Sequence, residues 1–130
     1  MLREKSILIV EDNVYLALDL SLAVEEANGR VVGPAGTVAE ALRLLEEEGH
    51  IAAAVLDARL ADLDVTPVVI ALAKKGVPYV IHSGTGLPAG IAELHPDCPV
   101  LVKPLHSDVI LACLRDEMKR SKAAVSKARG

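Results

Sequence analysis

The chain has no tryptophan and no phenylalanine, and two tyrosines are its only aromatics, 2% of 130 residues. That shortage argues against a sheet that stacks bases on exposed rings, as binders of single-stranded nucleic acid do. Cysteine is as scarce: Cys98 and Cys113 stand alone, too few for a disulfide framework and in keeping with a reduced, cytoplasmic compartment. No apolar leader follows Met1-Leu2-Arg3-Glu4-Lys5, and no apolar run approaches the roughly 20 residues of a membrane span. There is no internal repeat, and no Pro-, Gly- and Ser-rich linker divides the chain into two cores.

What is present is a globular composition, 52% hydrophobic and 25% charged, at a length that suffices for one core. The net charge of -4 is unevenly spread: residues 103 to 130 carry seven Lys/Arg against three Asp/Glu, leaving seven against fifteen upstream. We expect one domain over residues 1–118, followed by a basic, disordered tail over 119–130.

Short aliphatic runs alternate with longer helical patterns, which predicts a parallel sheet flanked by helices. The first strand is Ser6-Ile7-Leu8-Ile9-Val10, followed by a helix with Leu16, Leu20, Ala23, Val24 and Ala27 in register and Gly29 as its stop. Arg30 to Gly33 reads as a second strand, and Thr37 with Glu40 forms a capping box for a helix that Gly49 ends. Ala52 to Asp57 is the third strand, after which Thr66-Pro67 supplies an N-cap and first-turn proline for a helix ending near Gly76. Tyr79 to Ser83 is the fourth. The prolines between Gly84 and Pro99 allow only a short helix, at Ala89 to Leu94. Val100 to Lys103 is the fifth strand, and Ser107 caps a last helix that turns Val109, Ile110, Cys113, Leu114 and Met118 to the core. The sum is a single (βα)5 sandwich.

In an open parallel sheet ligands gather beyond the carboxyl ends of the strands. Those ends are Glu11 and Asp12, Asp57, Ser83 and Lys103, all polar after apolar runs. Carboxylates gathered at one edge repel one another unless a cation joins them. Oxygen-only ligands favour Mg²⁺, with Mn²⁺ as a second candidate. Asp57 is then placed as a nucleophile toward phosphorus, Lys103 as the ammonium that neutralises developing charge, and Ser83 as a hydroxyl donor.

Each residue also has a plainer reading. Strand-end acids cap following helices, a lone lysine is a surface residue, and Ser83 with Gly84 suits an ordinary turn. Asp62 and Asp64 read as solvated loop acids, with a second metal site as the alternative. His95, Cys98, His106 and Cys113 match no zinc spacing. Glu46-Glu47-Glu48 is a solvated helix end or a partner surface.

Val10-Glu11-Asp12-Asn13, Val55-Leu56-Asp57, Ser83-Gly84 and Lys103-Pro104, in this order and spacing, resemble the receiver domain of two-component response regulators over residues 5 to 118. The resemblance implies a flavodoxin-like, doubly wound sheet of order 2-1-3-4-5. It makes Asp57 the acceptor of a phosphoryl group from a histidine kinase or a histidine phosphotransferase. Glu11, Asp12, Asp57 and the backbone carbonyl of Arg59 would hold Mg²⁺, Ser83 and Lys103 would bind the phosphoryl group, and Gly84 and Pro104 would support them. Such a protein assists its own phosphorylation and dephosphorylation and is not an enzyme acting on a separate substrate.

Three departures stand out. Val100 occupies the place where many receivers carry a Tyr or Phe that moves with the hydroxyl residue. The stretch from Ser83 to Lys103 leaves a shortened fourth helix. The segment Val77 to Pro88 is similar to the "FAT GUY" receivers, with Ile81-His82-Ser83-Gly84 where that group has phenylalanine-alanine-threonine-glycine. That group lacks an attached output domain, so we expect a single-domain regulator that signals by protein contact, or as a phosphate shuttle or sink, without binding DNA or membrane. Its downstream protein target and its dimerisation are left open. Three alternatives stand beside it: a phosphorylation-independent binding module, a receiver excised from a hybrid histidine kinase, and a haloacid-dehalogenase type phosphohydrolase, which needs an Asp where Arg59 stands.

Overall fold

The structure, a computed structural model, describes residues 2–84, 88–95, 99–103 and 105–129, with side chains described as far as residue 122. Strands β1 (Ser6–Val10), β2 (Arg30–Ala35), β3 (Ala53–Asp57), β4 (Tyr79–Ser83) and β5 (Val100–Val102) alternate with helices α1 (Val14–Glu26), α2 (Val38–Glu47), α3 (Thr66–Lys75), α4 (Ala89–Leu94) and α5 (Ser107–Arg129). The strands form one sheet in the order β2-β1-β3-β4-β5, every pairing parallel. This is the doubly wound order expected above.

Both faces of the sheet are covered, which is why its central strands are apolar without alternation. Leu8, Val10, Ala54, Leu56, Tyr79 and Ile81 turn to one face and pack with Val38, Ala41 and Leu45 of α2, Val68 and Leu72 of α3, and Ile91 of α4. Ile7, Ile9, Ala53, Val55 and Val80 turn to the other and meet Leu20 and Val24 of α1 and Ile110, Leu111 and Leu114 of α5. The interior residues of β1, β3 and β4 are buried, and each Val, Leu or Ile among them is worth about 1.5–3 kcal/mol against exposure, so the strand ends are fixed to the core rather than carried on loops.

Local chemistry sets most boundaries as expected. Thr37 caps α2, its hydroxyl accepting from the backbone N–H of Glu40 at 3.1 Å, and α4 is six residues long. Four readings are corrected. α1 is closed by Asn28, which holds the left-handed conformation at φ 66°, while Gly29 has no room for a Cβ beside Leu2 and Val24. α3 is capped at Val65, not Thr66, with Pro67 in its first turn; Asp64 Oδ1 accepts from the N–H of Thr66 at 2.9 Å. Val109 is exposed instead of packed on the core. The segment from residue 119, read as a disordered tail, continues α5 to Arg129, in keeping with the helix propensity of its Lys, Arg and Ala residues. Pro104 and Cys98 lie outside the described residues.

β1 and β2 slip in register between Leu8 and Val10. Gly33 sits at this irregularity with φ +97°, and a Cβ there would lie 2.9 Å from the carbonyl oxygen of Ile9. Gly33→Ala is therefore expected to lower stability by about 1–3 kcal/mol through backbone strain, read as a reduced urea midpoint with an unchanged m-value.

Candidate functional site

Because all strands run the same way, their carboxyl ends share one edge, and this edge collects the polar residues. β1 delivers Glu11 and Asp12, β3 ends in Asp57, β4 ends in Ser83, and β5 hands on to Lys103. Glu11, Asp57 and Ser83 are buried, whereas Asp12 is exposed. One carboxylate oxygen from each of Glu11, Asp12 and Asp57 lies within 4.8 Å of the others.

Lys103 closes the cluster. Its Nζ is 3.1 Å from Asp57 Oδ2 and 3.6 Å from Glu11 Oε1. Its backbone N–H donates to the Ser83 carbonyl at 2.8 Å, so the lysine is anchored to the end of β4 before its side chain turns inward. Glu11 Oε2 accepts from the N–H of Asn13 at 3.1 Å, and Asn13 caps α1 by accepting from Tyr15 and Leu16. The start of α1 thereby orients the acid.

Burial pushes the Glu11 carboxyl up from its ordinary 4.5 to about 7; the Asn13 N–H and Lys103 pull the other way, and the adjacent Asp57 carboxyl pushes further up. An acid held near neutrality beside two more carboxylates is a hard-oxygen donor set short of positive charge, and one ammonium does not balance it. A divalent cation such as Mg²⁺ fits these residues.

Arg59 lies two residues past Asp57 with an exposed side chain, its backbone bridged to Asp64. Gly84 has open space around a built Cβ among the described residues, so packing does not demand a glycine there. Asp62 is not a bare loop acid: Oδ1 accepts from Val38 N–H at 3.0 Å and Oδ2 from Ala39 N–H at 3.4 Å, tying the loop after Asp57 to the start of α2. Those N–H donors hold its carboxyl below the usual range, as the Thr66 donors do for Asp64. No metal-type cluster other than Glu11, Asp12 and Asp57 occurs among the described residues; His95 is bonded to the Tyr79 hydroxyl at 2.8 Å, and His106 stands beside Asp108.

Two features were missed in the sequence. Val14, Leu18 and Leu22 form an exposed apolar stripe on α1, with Tyr15 beside it; spacing alone cannot tell a core-facing stripe from an outward one. His82, one residue before Ser83, is buried with neither ring nitrogen bonded among the described residues.

No protein-family model matches the sequence, and no curated protein matches it significantly. Solved structures do. A response regulator receiver protein from Sinorhizobium medicae superposes with a TM-score of 0.78 at 23% identity, over 93% of this chain and 99% of that one. The receiver domain of a sensor histidine kinase from Pseudomonas aeruginosa, solved with a magnesium ion coordinated in its active-site cleft, gives 0.72 at 22% identity, over 88% and 98%. SdrG from Sphingomonas melonis, at 35% identity and a TM-score of 0.72, is matched over 91% of this chain and 98% of that one. The more distant pair establish the fold, and SdrG is near enough in sequence to stand for a shared family. With this fold and this set of residues at the sheet edge, the chain belongs to the receiver domains of response regulators.

The raised Glu11 carboxyl gives a pH-dependent expectation. The folded acid keeps its proton up to about 7 where an unfolded one releases it near 4.5, so the metal-free fold loses this contribution as pH climbs through that window. Urea midpoints without metal are expected to fall across it, Glu11→Gln to flatten the fall, and Mg²⁺ affinity, followed by calorimetry, to rise with pH as the proton is displaced.

Proposed function

We propose that this receiver is a cytoplasmic phosphoacceptor, taking a phosphoryl group onto Asp57 from the phosphohistidine of a kinase or phosphotransferase and signalling through protein contact or as a phosphate shuttle or sink. The observation that carries the reading is Lys103 Nζ at 3.1 Å from Asp57 Oδ2 inside an acid cluster. No helix among the described residues is long and apolar enough to cross a membrane.

A carboxylate oxygen of Asp57 attacks phosphorus; the new O–P bond forms as the donor's N–P bond breaks, and the imidazole nitrogen leaves with the electron pair. Lys103 is close enough to meet charge on the transferred oxygens, and the buried Ser83 hydroxyl stands at the same edge to donate to one of them. Mg²⁺, when held by Glu11, Asp12, Asp57 and the Arg59 carbonyl, supplies further positive charge toward those oxygens. Hydrolysis of the resulting acyl phosphate, with water attacking phosphorus, returns the carboxylate. The protein is thus altered by the reaction, as a signal carrier is, and does not turn over a separate substrate.

The exposed Val14, Leu18 and Leu22 begin two residues past Asp12 and run away from the acceptor along α1. A helical donor that lays its apolar face on this stripe brings its phosphohistidine to the sheet edge.

Intact-mass analysis after acetyl phosphate treatment tests the acceptor. A single Mg²⁺-dependent adduct, absent from Asp57→Ala, is the expected result; no adduct under any condition turns the reading to a phosphorylation-independent binding module. Leu18→Asp is expected to leave acetyl phosphate labelling intact while slowing transfer from a phosphorylated histidine kinase roughly tenfold.

A further inference from the structure

His82 is 2% exposed, and neither Nδ1 nor Nε2 finds a hydrogen-bond partner among the described residues. The register sets it beside Asp57 of β3 and Leu101 of β5. Strand alternation turns it to the face of Val80, which α5 covers with Ile110, Leu111 and Leu114. Ser83, one residue on, turns the opposite way. His82 therefore lies in the layer between the end of β3 and α5.

Burial, and then the Lys103 cation, hold its pKa below the ordinary histidine range, with Asp57 opposing. A neutral imidazole offers one N–H donor and one lone-pair acceptor. Neither has a partner among the described residues. Burying such atoms unpaired is unfavourable, and a leucine would fill an apolar layer without that loss. The ring makes sense if another state of the protein supplies a partner. The state at hand is the loaded acceptor, in which oxygen acceptors are added at Asp57 and Lys103 turns from the Asp57 and Glu11 carboxylates toward the phosphoryl group.

We propose that His82 is a positioning residue for phosphorylated Asp57: unpaired among the described residues at rest, its ring N–H donates a hydrogen bond to an oxygen of the loaded acceptor, and the ring's movement carries the change from the sheet edge to α5. This deepens the phosphoacceptor reading and rests on it. A two-state element biased by the site is what such coupling requires, and the choice between paired and unpaired rings supplies it.

The test uses the full chain labelled with ¹⁵N-histidine, with the His82 imidazole signals assigned by their loss in His82→Gln. Spectra are taken before and after acetyl phosphate and Mg²⁺, with the adduct checked by intact mass in the same sample. A slowly exchanging, hydrogen-bonded His82 N–H that appears only on loading is expected. Unchanged His82 signals in a sample that carries the adduct overturn the proposal and leave the acceptor reading standing. A hydrogen-bonded ring already present at rest overturns it equally. Absence of any adduct removes the acceptor reading and this proposal with it. In a second arm, His82→Leu is expected to raise or keep the urea midpoint yet shorten the phosphoryl half-life roughly fivefold, with His82→Gln, which retains a donor, recovering part of the loss. A purely structural histidine would move the midpoint and not the half-life, and that pattern contradicts the proposal.

Discussion

The contact between Lys103 and the Asp57 carboxylate is the interaction on which the rest of the sheet edge turns. Three carboxylates drawn together at the end of a buried sheet repel one another, and at about 3 Å a single opposite charge returns on the order of 5 kcal/mol before desolvation at an effective dielectric near 20. That is enough to keep Asp57 paired, and too little to satisfy Glu11 as well, whose carboxyl stays raised to about 7. The site is left electrostatically incomplete, a fit for a divalent cation and, in the function proposed here, for the charge of a transferred group. Its incompleteness is its chemistry.

The fold makes this arrangement rigid. Glu11 follows directly on β1 and Asp57 ends β3, strands whose interior residues are sealed between two helical layers, so moving either acid means moving a strand, whereas Lys103 follows the only partly buried β5. Lys103 is held to Ser83 through its own backbone, and Glu11 is held to the first turn of α1 through Asn13. If Asp57 is loaded as proposed, two sets of contacts lead outward from it: Asp62, which binds the loop after β3 to α2, and the layer of His82 toward α5.

Much of this could be read in the chain alone, for a physical reason. A strand covered on both faces is apolar through its interior, so the residue that breaks the run marks its end: Glu11 and Asp57 do so in positions the topology brings to one edge, while in β4 His82 breaks the run one residue before Ser83. The capping box of Thr37 and the proline-limited α4 are equally local. What escaped depends on the third dimension. Asn28 rather than Gly29 takes the left-handed position that closes α1, and Gly29 instead lies close against Leu2 and Val24. Asp62 finds its partners 24 and 23 residues away on α2. The apolar spacing on α1 carries two stripes, and only packing shows that Val14, Leu18 and Leu22 face outward. The helix that continues past residue 119 carries charge enough to suggest a tail, yet its residues are good helix formers. His82 looks like any strand residue until its burial and its unpaired nitrogens are seen together.

The most direct test of the central claim is to locate the phosphoryl group chemically. Borohydride reduction of the protein after acetyl phosphate and Mg²⁺ treatment, followed by peptide mass spectrometry, converts an aspartyl phosphate to homoserine. The account predicts homoserine at position 57 and nowhere else, and none when Mg²⁺ is withheld. Conversion at Asp12, at Asp62 or at no residue would contradict it.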